Sequence, residues 1–228
     1  SGGTTPPGQS VVEEWSAPAI FSKQIEGQLY FNSTTNTFKE TILDVPAGTW
    51  AGGGALNTAR SSAMGAGTQG AGIVTGGYTP PTTAVTEQYD GSSWTEVGDL
   101  NSASASGGMA HNSPYADTIK FGGTPDTDKS ESWNNSSWTE QGNLNTGRLG
   151  GSGYGDSSTS AGYAGGDPVS SNINENWDGS SWTEVSDLNS ARRYGVGTGI
   201  VTAALVIAGD TDNPSFPGGR YTARVESW

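Results

Sequence analysis

The sequence predicts an all-β protein, a β-propeller of about four blades with four antiparallel strands in each blade. One observation is a repeated unit of 44 residues, marked by Trp50, Trp94, Trp138 and Trp182. Periods of about 40 to 50 residues that hold four short strands are typical of propeller blades. The other is composition: Gly occurs 36 times, and Gly, Ser and Thr favour turns and extended chain over helix.

Within each unit, further residue types recur at the same spacing. They are Leu56, Leu100, Leu144 and Leu188, then Asn57, Asn101, Asn145 and Asn189, then Arg60, Arg148 and Arg192, with Ser104 standing in once for the arginine. The segment after the arginine position is rich in small residues, which predicts an inner strand crowded at the central axis. An apolar second strand follows and ends in Gly-Gly or a near match.

The third strand is predicted to alternate between buried and exposed residues and to end at an aromatic residue. These aromatic residues are Tyr89, Trp133, Trp177 and Trp228. After the first three, the phrases YDGSSW, WNNSSW and WDGSSW predict one tight hairpin per blade, because Asp-Gly and Asn-Asn tolerate positive φ. Aromatic residues on both sides of such a turn can pack together and fix the strand register. We interpret the Trp, Leu and Gly-Gly positions as blade core.

The two ends of the repeat array are incomplete in a complementary way. The last unit ends at Trp228 with a third strand and no fourth, whereas GTW at 48–50 is predicted as a fourth strand with no blade before it. We therefore predict that the strand around Thr49–Gly53 lies beside Ala223–Trp228 and closes the ring, because an unpaired sheet edge promotes aggregation. The alternative is an open array that another chain closes.

The sequence divides into three parts: a flexible linker at 1–10, an N-terminal extension at 11–48 and the propeller at 49–228. The first residues, SGGTTPPG, look like an internal linker, so we expect a piece of a longer polypeptide. In the extension, QLYFNSTTNTFKETILDV alternates around a polar turn at Ser33–Asn36 and predicts a β-hairpin, packed on the propeller or on another copy. The segment VVEEW at 11–15 resembles an extra third strand, and its place stays open.

Charge and composition exclude several classes of function. The chain has 10 basic and 23 acidic residues, a net charge of −13, and no basic cluster longer than Arg192-Arg193. Phosphate backbones would be repelled, so we expect no nucleic-acid partner. No run of 18 apolar residues occurs, so we expect no membrane insertion. The chain has no Cys and a single histidine, His111, which argues against thiol catalysis and against a Ser-His-Asp triad.

Two groups of residues are candidate binding sites. Arg60, Arg148 and Arg192 would ring one mouth of the central channel and could hold an anion such as a sugar acid. Alternatively, they bond backbone carbonyls between blades. Asp210 and Asp212 alternate in a loop after a second strand and could ligate Ca²⁺, although the loop lacks the Gly and distal Glu of an EF-hand. A solvated polar loop is the competing interpretation, and we expect no other cofactor.

The repeat also resembles known sequences. Gly-Gly, then an aromatic residue, then Trp is the skeleton of kelch-like propeller repeats. The run W-T-E-V-x-D-L-N-[ST]-[AG]-R, matched at Trp94–Ser104 and Trp182–Arg192, resembles kelch-like repeats in structural proteins of marine bacteriophages, notably cyanophages. The segment GQLYFNSTTNTFK at 27–39 is similar to a short module of phage tail and fibre proteins.

This resemblance implies a non-enzymatic virion protein displayed on a fibre, tail or capsid surface. Such a protein would bind a host surface glycan, another virion protein or further copies of itself. Kelch-like copper oxidases need a Cys-crosslinked Tyr and paired His ligands, which this chain lacks. The alternative is a bacterial extracellular lectin-like adhesion propeller.

Overall fold

The computed structural model describes residues 29–32, 37–40, 52–167, 171–211 and 221–228. The chain divides into two units, Ser1–Gly52 and Gly53–Trp228. In the first unit β1 (Leu29–Asn32) pairs antiparallel with β2 (Thr37–Glu40), and Phe31 lies opposite Phe38. The predicted hairpin is therefore confirmed. The predicted linker and the VVEEW segment lie outside the described residues.

The second unit consists of four antiparallel sheets, numbered here as blades 1 to 4. Blade 1 holds β3 (Met64–Thr68), β4 (Ala71–Thr75), β5 (Thr86–Tyr89) and β6 (Trp94–Glu96). Blade 2 holds β7 (Gly108–Met109), β8 (Thr118–Phe121), β9 (Ser130–Trp133) and β10 (Trp138–Glu140). Blade 3 holds β11 (Ser152–Ser157), β12 (Ser160–Ala164), β13 (Asn174–Trp177) and β14 (Trp182–Glu184). Blade 4 holds β15 (Val196–Ile200), β16 (Ala203–Ile207) and β17 (Val225–Ser227).

These sheets confirm the predicted all-β class and the four-bladed propeller. Among the described ranges no helix is long and apolar enough to cross a membrane. The predicted closing strand at Thr49–Gly53 lies largely outside those ranges, and within them β17 pairs with β16 alone. Ring closure by that strand therefore stays a prediction.

The repeated turn between the third and fourth strands has the predicted chemistry. In blade 1, Asp90 accepts backbone hydrogen bonds from Ser92 and Ser93, each at 2.8 Å. The bonds from Ser93 and Ser92 lower the pKa of Asp90 to about 2. Gly91 adopts φ 94°. The aromatic rings on either side of the turn pack together in each of the first three blades, with centroids 5.0, 5.3 and 5.7 Å apart.

The hydrophobic core lies between neighbouring blades. Met64 and Ile73 of blade 1 pack with Met109, Trp133 and Trp138 of blade 2 in one buried cluster. A hydrogen bond also joins these blades, because the Trp138 indole Nε1 donates to the Thr86 hydroxyl at 3.0 Å. The corresponding bond between blades 2 and 3 runs from Trp182 to Ser130, also at 3.0 Å. Trp133, Trp138, Trp177 and Trp182 are therefore blade core, as predicted, whereas Trp94 is only partly buried and Trp228 is 47% exposed.

Backbone hydrogen bonds join the inner ends of successive blades. The amide of Ser106 donates to Ser62, Gly150 to Ser106 and Tyr194 to Gly150, at 2.9, 2.7 and 2.6 Å. These four residues are spaced by 44 and share the left-handed conformation, with φ between 53° and 64°. The conformation is uncommon for residues other than glycine, so a repeated contact maintains it at each step.

The Gly-Gly positions allow a second close approach between blades. The second Gly of each pair donates to the carbonyl oxygen at the arginine position of the next blade, as from Gly166 to Arg192 at 2.9 Å. A Cβ on the first Gly would lie 2.2 to 2.6 Å from the same oxygens, at Gly76, Gly122 and Gly165. Blade 4 has Ala208-Gly209 at this place, with φ 57° and 112°. The fourth blade therefore cannot accept a following blade in the same way.

A glycine-to-alanine substitution tests this packing. Gly165→Ala should lower the free energy of unfolding by about 3 kcal/mol, because it adds left-handed strain and forces the Cβ onto the Arg192 carbonyl. The matched control is Ala208→Gly, which should change that free energy by no more than about 1 kcal/mol. Chemical denaturation measures both, and equal effects would contradict the packing argument.

Candidate functional site: a tyrosine-lined pocket on the fourth blade

The three predicted binding arginines form buried ion pairs inside their own blades. Arg60 pairs with Glu87 at 3.1 Å, Arg148 with Glu175, and Arg192 with Glu226. The arginine side chains are enclosed, and Arg148 also donates to the carbonyls of Tyr163 and Gly165 in blade 3. The carbonyl bonds therefore run within a blade, and not between blades as the alternative interpretation held.

A carboxylate already neutralises each of these guanidinium groups. An anionic ligand would have to compete with a buried glutamate that accepts several further hydrogen bonds. In blade 3, Glu175 accepts from the backbone and side-chain nitrogens of Asn145 at 2.7 and 2.9 Å and from Thr146 at 3.3 Å. The geometry favours a structural role, and anion binding by Arg60, Arg148 and Arg192 stays a prediction.

Blade 2 has a lysine from a different strand near its glutamate, and the Lys120 ammonium makes no hydrogen bond within the described residues. Ser104 occupies the arginine position, and the fully buried Lys120 lies directly across the ladder from Glu131. The equivalent residues in the other blades are Val74, Tyr163 and Val206. Burial lowers the pKa of Lys120, and the carboxylate of Glu131 opposes that shift. Sequence analysis missed this exchange, although the gap at Ser104 could have prompted a search for another cation.

Moving the positive charge from Lys120 to position 104 tests whether the lysine serves in place of the missing arginine. Lys120→Val alone should lower the free energy of unfolding by about 3 to 5 kcal/mol, because it removes the buried positive charge that lies across the ladder from the Glu131 carboxylate. Adding Ser104→Arg should recover most of the loss, because it restores the arrangement of blades 1 and 4. Urea denaturation of both single variants and the double variant gives the coupling free energy. If the changes in unfolding free energy of Lys120→Val and Ser104→Arg simply add in the double variant, the lysine does not serve in place of the arginine.

The predicted calcium residues are only partly described. Asp212 lies outside the described ranges, and Asp210 is buried with its carboxylate 3.5 Å from the Arg193 guanidinium. In the part of the chain that the structure covers, no group of three His, Cys, Asp or Glu side chains is placed to hold a metal ion. Calcium binding at Asp210 and Asp212 stays a prediction.

Asp210 belongs to a polar cluster at the inner end of blades 3 and 4. Arg193 pairs with Asp167 as well as with Asp210. The Tyr194 hydroxyl donates to Asp167 at 2.6 Å, and the Arg193 guanidinium lies 5.5 Å from the centre of the Tyr194 ring. The bond to the Asp167 carboxylate, followed by partial burial, raises the pKa of Tyr194. The cluster therefore holds the Tyr194 hydroxyl in a hydrogen bond to Asp167.

This cluster breaks the repeat. At the position of Arg193 the other blades have Ser61, Ala105 and Leu149, and at the position of Tyr194 they have Ser62, Ser106 and Gly150. The Tyr194 ring lies over Gly150, where a Cβ would come within 2.5 Å of it. A charged and an aromatic residue therefore replace uncharged residues with no aromatic ring at one junction among the described blades, which indicates a role that the repeat itself does not require.

A pocket of about 460 Å³ adjoins the cluster and is lined by Tyr194, Ala208, Gly209, Asp210, Tyr221 and Thr222. Tyr194 is 56% exposed and Tyr221 is 74% exposed. Tyrosine presents an apolar ring and a polar tip. Two such rings beside a carboxylate can contact the C–H face of a sugar and accept hydrogen bonds from its hydroxyl groups. The sequence did not reveal this site, because Arg193 and Tyr194 have no counterparts at the equivalent positions of the other blades and so do not form a repeated column.

The single histidine contributes to a contact between blades. His111 Nδ1 lies 2.8 Å from the Gly65 carbonyl oxygen and donates a hydrogen bond to it. This bond joins blade 2 to blade 1.

Comparison with known proteins supports the fold and does not identify a family. No protein-family model matches the chain, and no curated protein matches it. Among solved structures the chain is similar to the one titled "Structure of YjhT", with a TM-score of 0.58 and 16% sequence identity. The match covers 86% of this chain and 70% of that one. At this identity the similarity concerns the propeller fold alone.

Proposed function

We propose that this protein is a non-enzymatic component of a bacteriophage virion, and that its blade 4 pocket binds a glycan of the host surface. Its repeats are kelch-like in this proposal, and its location is the virion surface on a fibre, tail or capsid. The phage-type runs Trp94–Ser104 and Trp182–Arg192 support the origin. The observation that carries the binding proposal is the pair of exposed tyrosine rings beside Asp210.

The chemistry of the pocket favours a neutral sugar over an acidic one. Arg193 is engaged with both Asp167 and Asp210, and the net charge of the chain is −13. A negatively charged sugar would therefore meet the Asp210 carboxylate and a repulsive overall field. Hydroxyl groups of a neutral sugar can bond to polar atoms of the pocket lining, such as the Thr222 hydroxyl, while the ring face lies against tyrosine.

Substitution of the pocket tyrosines tests the binding proposal. Tyr194→Ala and Tyr221→Ala should each weaken glycan binding about tenfold, because each removes one ring contact. Tyr194→Phe should retain most of the affinity, since it keeps the ring and loses only the bond to Asp167. The measurement is screening of the purified protein on a glycan array, followed by titration calorimetry with the sugar that binds best.

The matched control is Tyr78→Ala. Tyr78 is 49% exposed and occupies the position in blade 1 that Asp210 occupies in blade 4. Its loss should leave affinity unchanged. Equal weakening by Tyr78→Ala, or unchanged affinity in Tyr194→Ala and Tyr221→Ala, would overturn the assignment of this pocket. The virion location is tested separately by immunogold labelling of purified phage particles, and its failure would favour a bacterial extracellular adhesin.

A further inference from the structure

Three buried polar atoms on one face of blade 2 have no hydrogen-bond partner within the described residues. They are the Thr118 hydroxyl, the Lys120 ammonium and the Trp133 indole Nε1, of residues that are at most 1% exposed. In the ladder between β8 and β9, Thr118 lies opposite Trp133 and Lys120 lies opposite Glu131. Residues two apart in a strand, and residues directly opposite each other, share a face of the sheet. The three side chains therefore project from the same face.

This face is turned toward blade 1. Trp133 packs in one buried cluster with Met64 and Ile73 of blade 1. Ile119, in the middle of β8, projects from the opposite face and packs in a second cluster with Trp177 of blade 3. The unpartnered atoms therefore lie at the junction between blades 1 and 2, whereas the other face of the same sheet forms the junction between blades 2 and 3.

The junction between blades 2 and 3 leaves no polar side-chain atom unpartnered at the same three positions. Ala161 takes the place of Thr118 and has no polar side-chain atom. The Tyr163 hydroxyl, at the position of the lysine, accepts a hydrogen bond from the Gly151 amide at 3.0 Å. The Trp177 indole Nε1 donates to the Ser158 carbonyl at 3.0 Å. The two junctions therefore differ in the pairing of these three side chains.

Other polar contacts across the two junctions are closely matched. The Ser106 amide donates to the Ser62 carbonyl across the first junction, and the Gly150 amide donates to the Ser106 carbonyl across the second, at 2.9 and 2.7 Å. The tryptophan indole bond that crosses each junction is 3.0 Å long in both. The unpartnered side chains of blade 2 therefore decide which junction is the weaker.

A buried polar group without a partner costs free energy, which is recovered when the group reaches water. Separation of blades 1 and 2 would let Thr118, Lys120 and Trp133 be hydrated. The attraction between Lys120 and Glu131 lies within blade 2, so it is kept during such a separation. Separation of blades 2 and 3 brings no comparable gain, because the side chains at the equivalent positions already have partners or need none.

We propose that the propeller opens reversibly between blades 1 and 2, while blades 2 and 3 stay joined. Cooperative units of a protein open separately when the contacts that join them are weaker than those within them. In the open form the face of blade 2 that carries Thr118, Lys120 and Trp133 is exposed to solvent. This inference does not depend on glycan binding, because the tyrosine pocket lies on blade 4.

Amide hydrogen exchange of the full chain, resolved by nuclear magnetic resonance, tests the proposal with two matched amides. Ser106 reports on the first junction and Gly150, 44 residues later, reports on the second. After correction for the intrinsic rates of the two residue types, Ser106 should exchange about 100-fold faster than Gly150, because three unpartnered groups favour its opening. Equal corrected rates would overturn the proposal.

A pair of threonine variants on the two sides of the junction gives a second test. Thr118→Val removes an unpartnered hydroxyl and should slow exchange of Ser106 about fivefold, with Gly150 unchanged. The matched control is Thr86→Val, which should speed exchange of Ser106, because the Thr86 hydroxyl bonds Thr75 at 2.7 Å and accepts the indole bond across the junction. Faster exchange of Ser106 in Thr118→Val, or an equal change at both amides, would overturn the proposal.

Discussion

One glutamate in the third strand of each blade makes the interaction on which the arrangement depends. Three of these glutamates, Glu87, Glu131 and Glu175, are buried, and the fourth, Glu226, is half-buried. Each accepts two hydrogen bonds from the asparagine that enters the blade. Arginines form ion pairs with three of them, and Lys120 lies across the ladder from Glu131. A buried carboxylate without such partners would cost several kcal/mol. Each segment that leads into a blade is therefore fixed, through its asparagine, to the third strand of that blade. This attachment sets the spacing between successive blades.

Much of the fold could be predicted because its contacts repeat. The 44-residue period, the turn after each third strand and the aromatic pairs are local features, so the sequence shows them directly. The partners of the arginines could not be predicted in the same way. Arg148 meets Glu175 across 27 residues, and a glutamate in an alternating strand is ordinarily taken to face solvent. An arginine whose partner was not visible was therefore interpreted as a possible ligand site.

The candidate site lies where the repeat fails, for a physical reason. Three successive junctions require small residues at the inner ends of the blades, because carbonyl oxygens approach within 2.2 to 2.6 Å of the place where a Cβ would stand. Blade 4 has Ala208 in place of the first glycine of the pair, and the alanine Cβ prevents the same close approach. Ala208 and Tyr194 line a pocket at this end of the blade. Tyr194, Tyr221 and Asp210 belong to no repeated column of the sequence, so their proximity becomes visible only in the folded blades.

The most direct measurement of the glutamate's role is the stability of Glu175→Gln. The substitution keeps the shape of the side chain but removes the charge that Arg148 and Asn145 require. The free energy of unfolding in urea should fall by about 3 to 5 kcal/mol, whereas the exposed Glu184→Gln should change it by less than about 0.5 kcal/mol. If Glu175→Gln unfolds at the wild-type urea concentration, the buried glutamates do not hold the blades together.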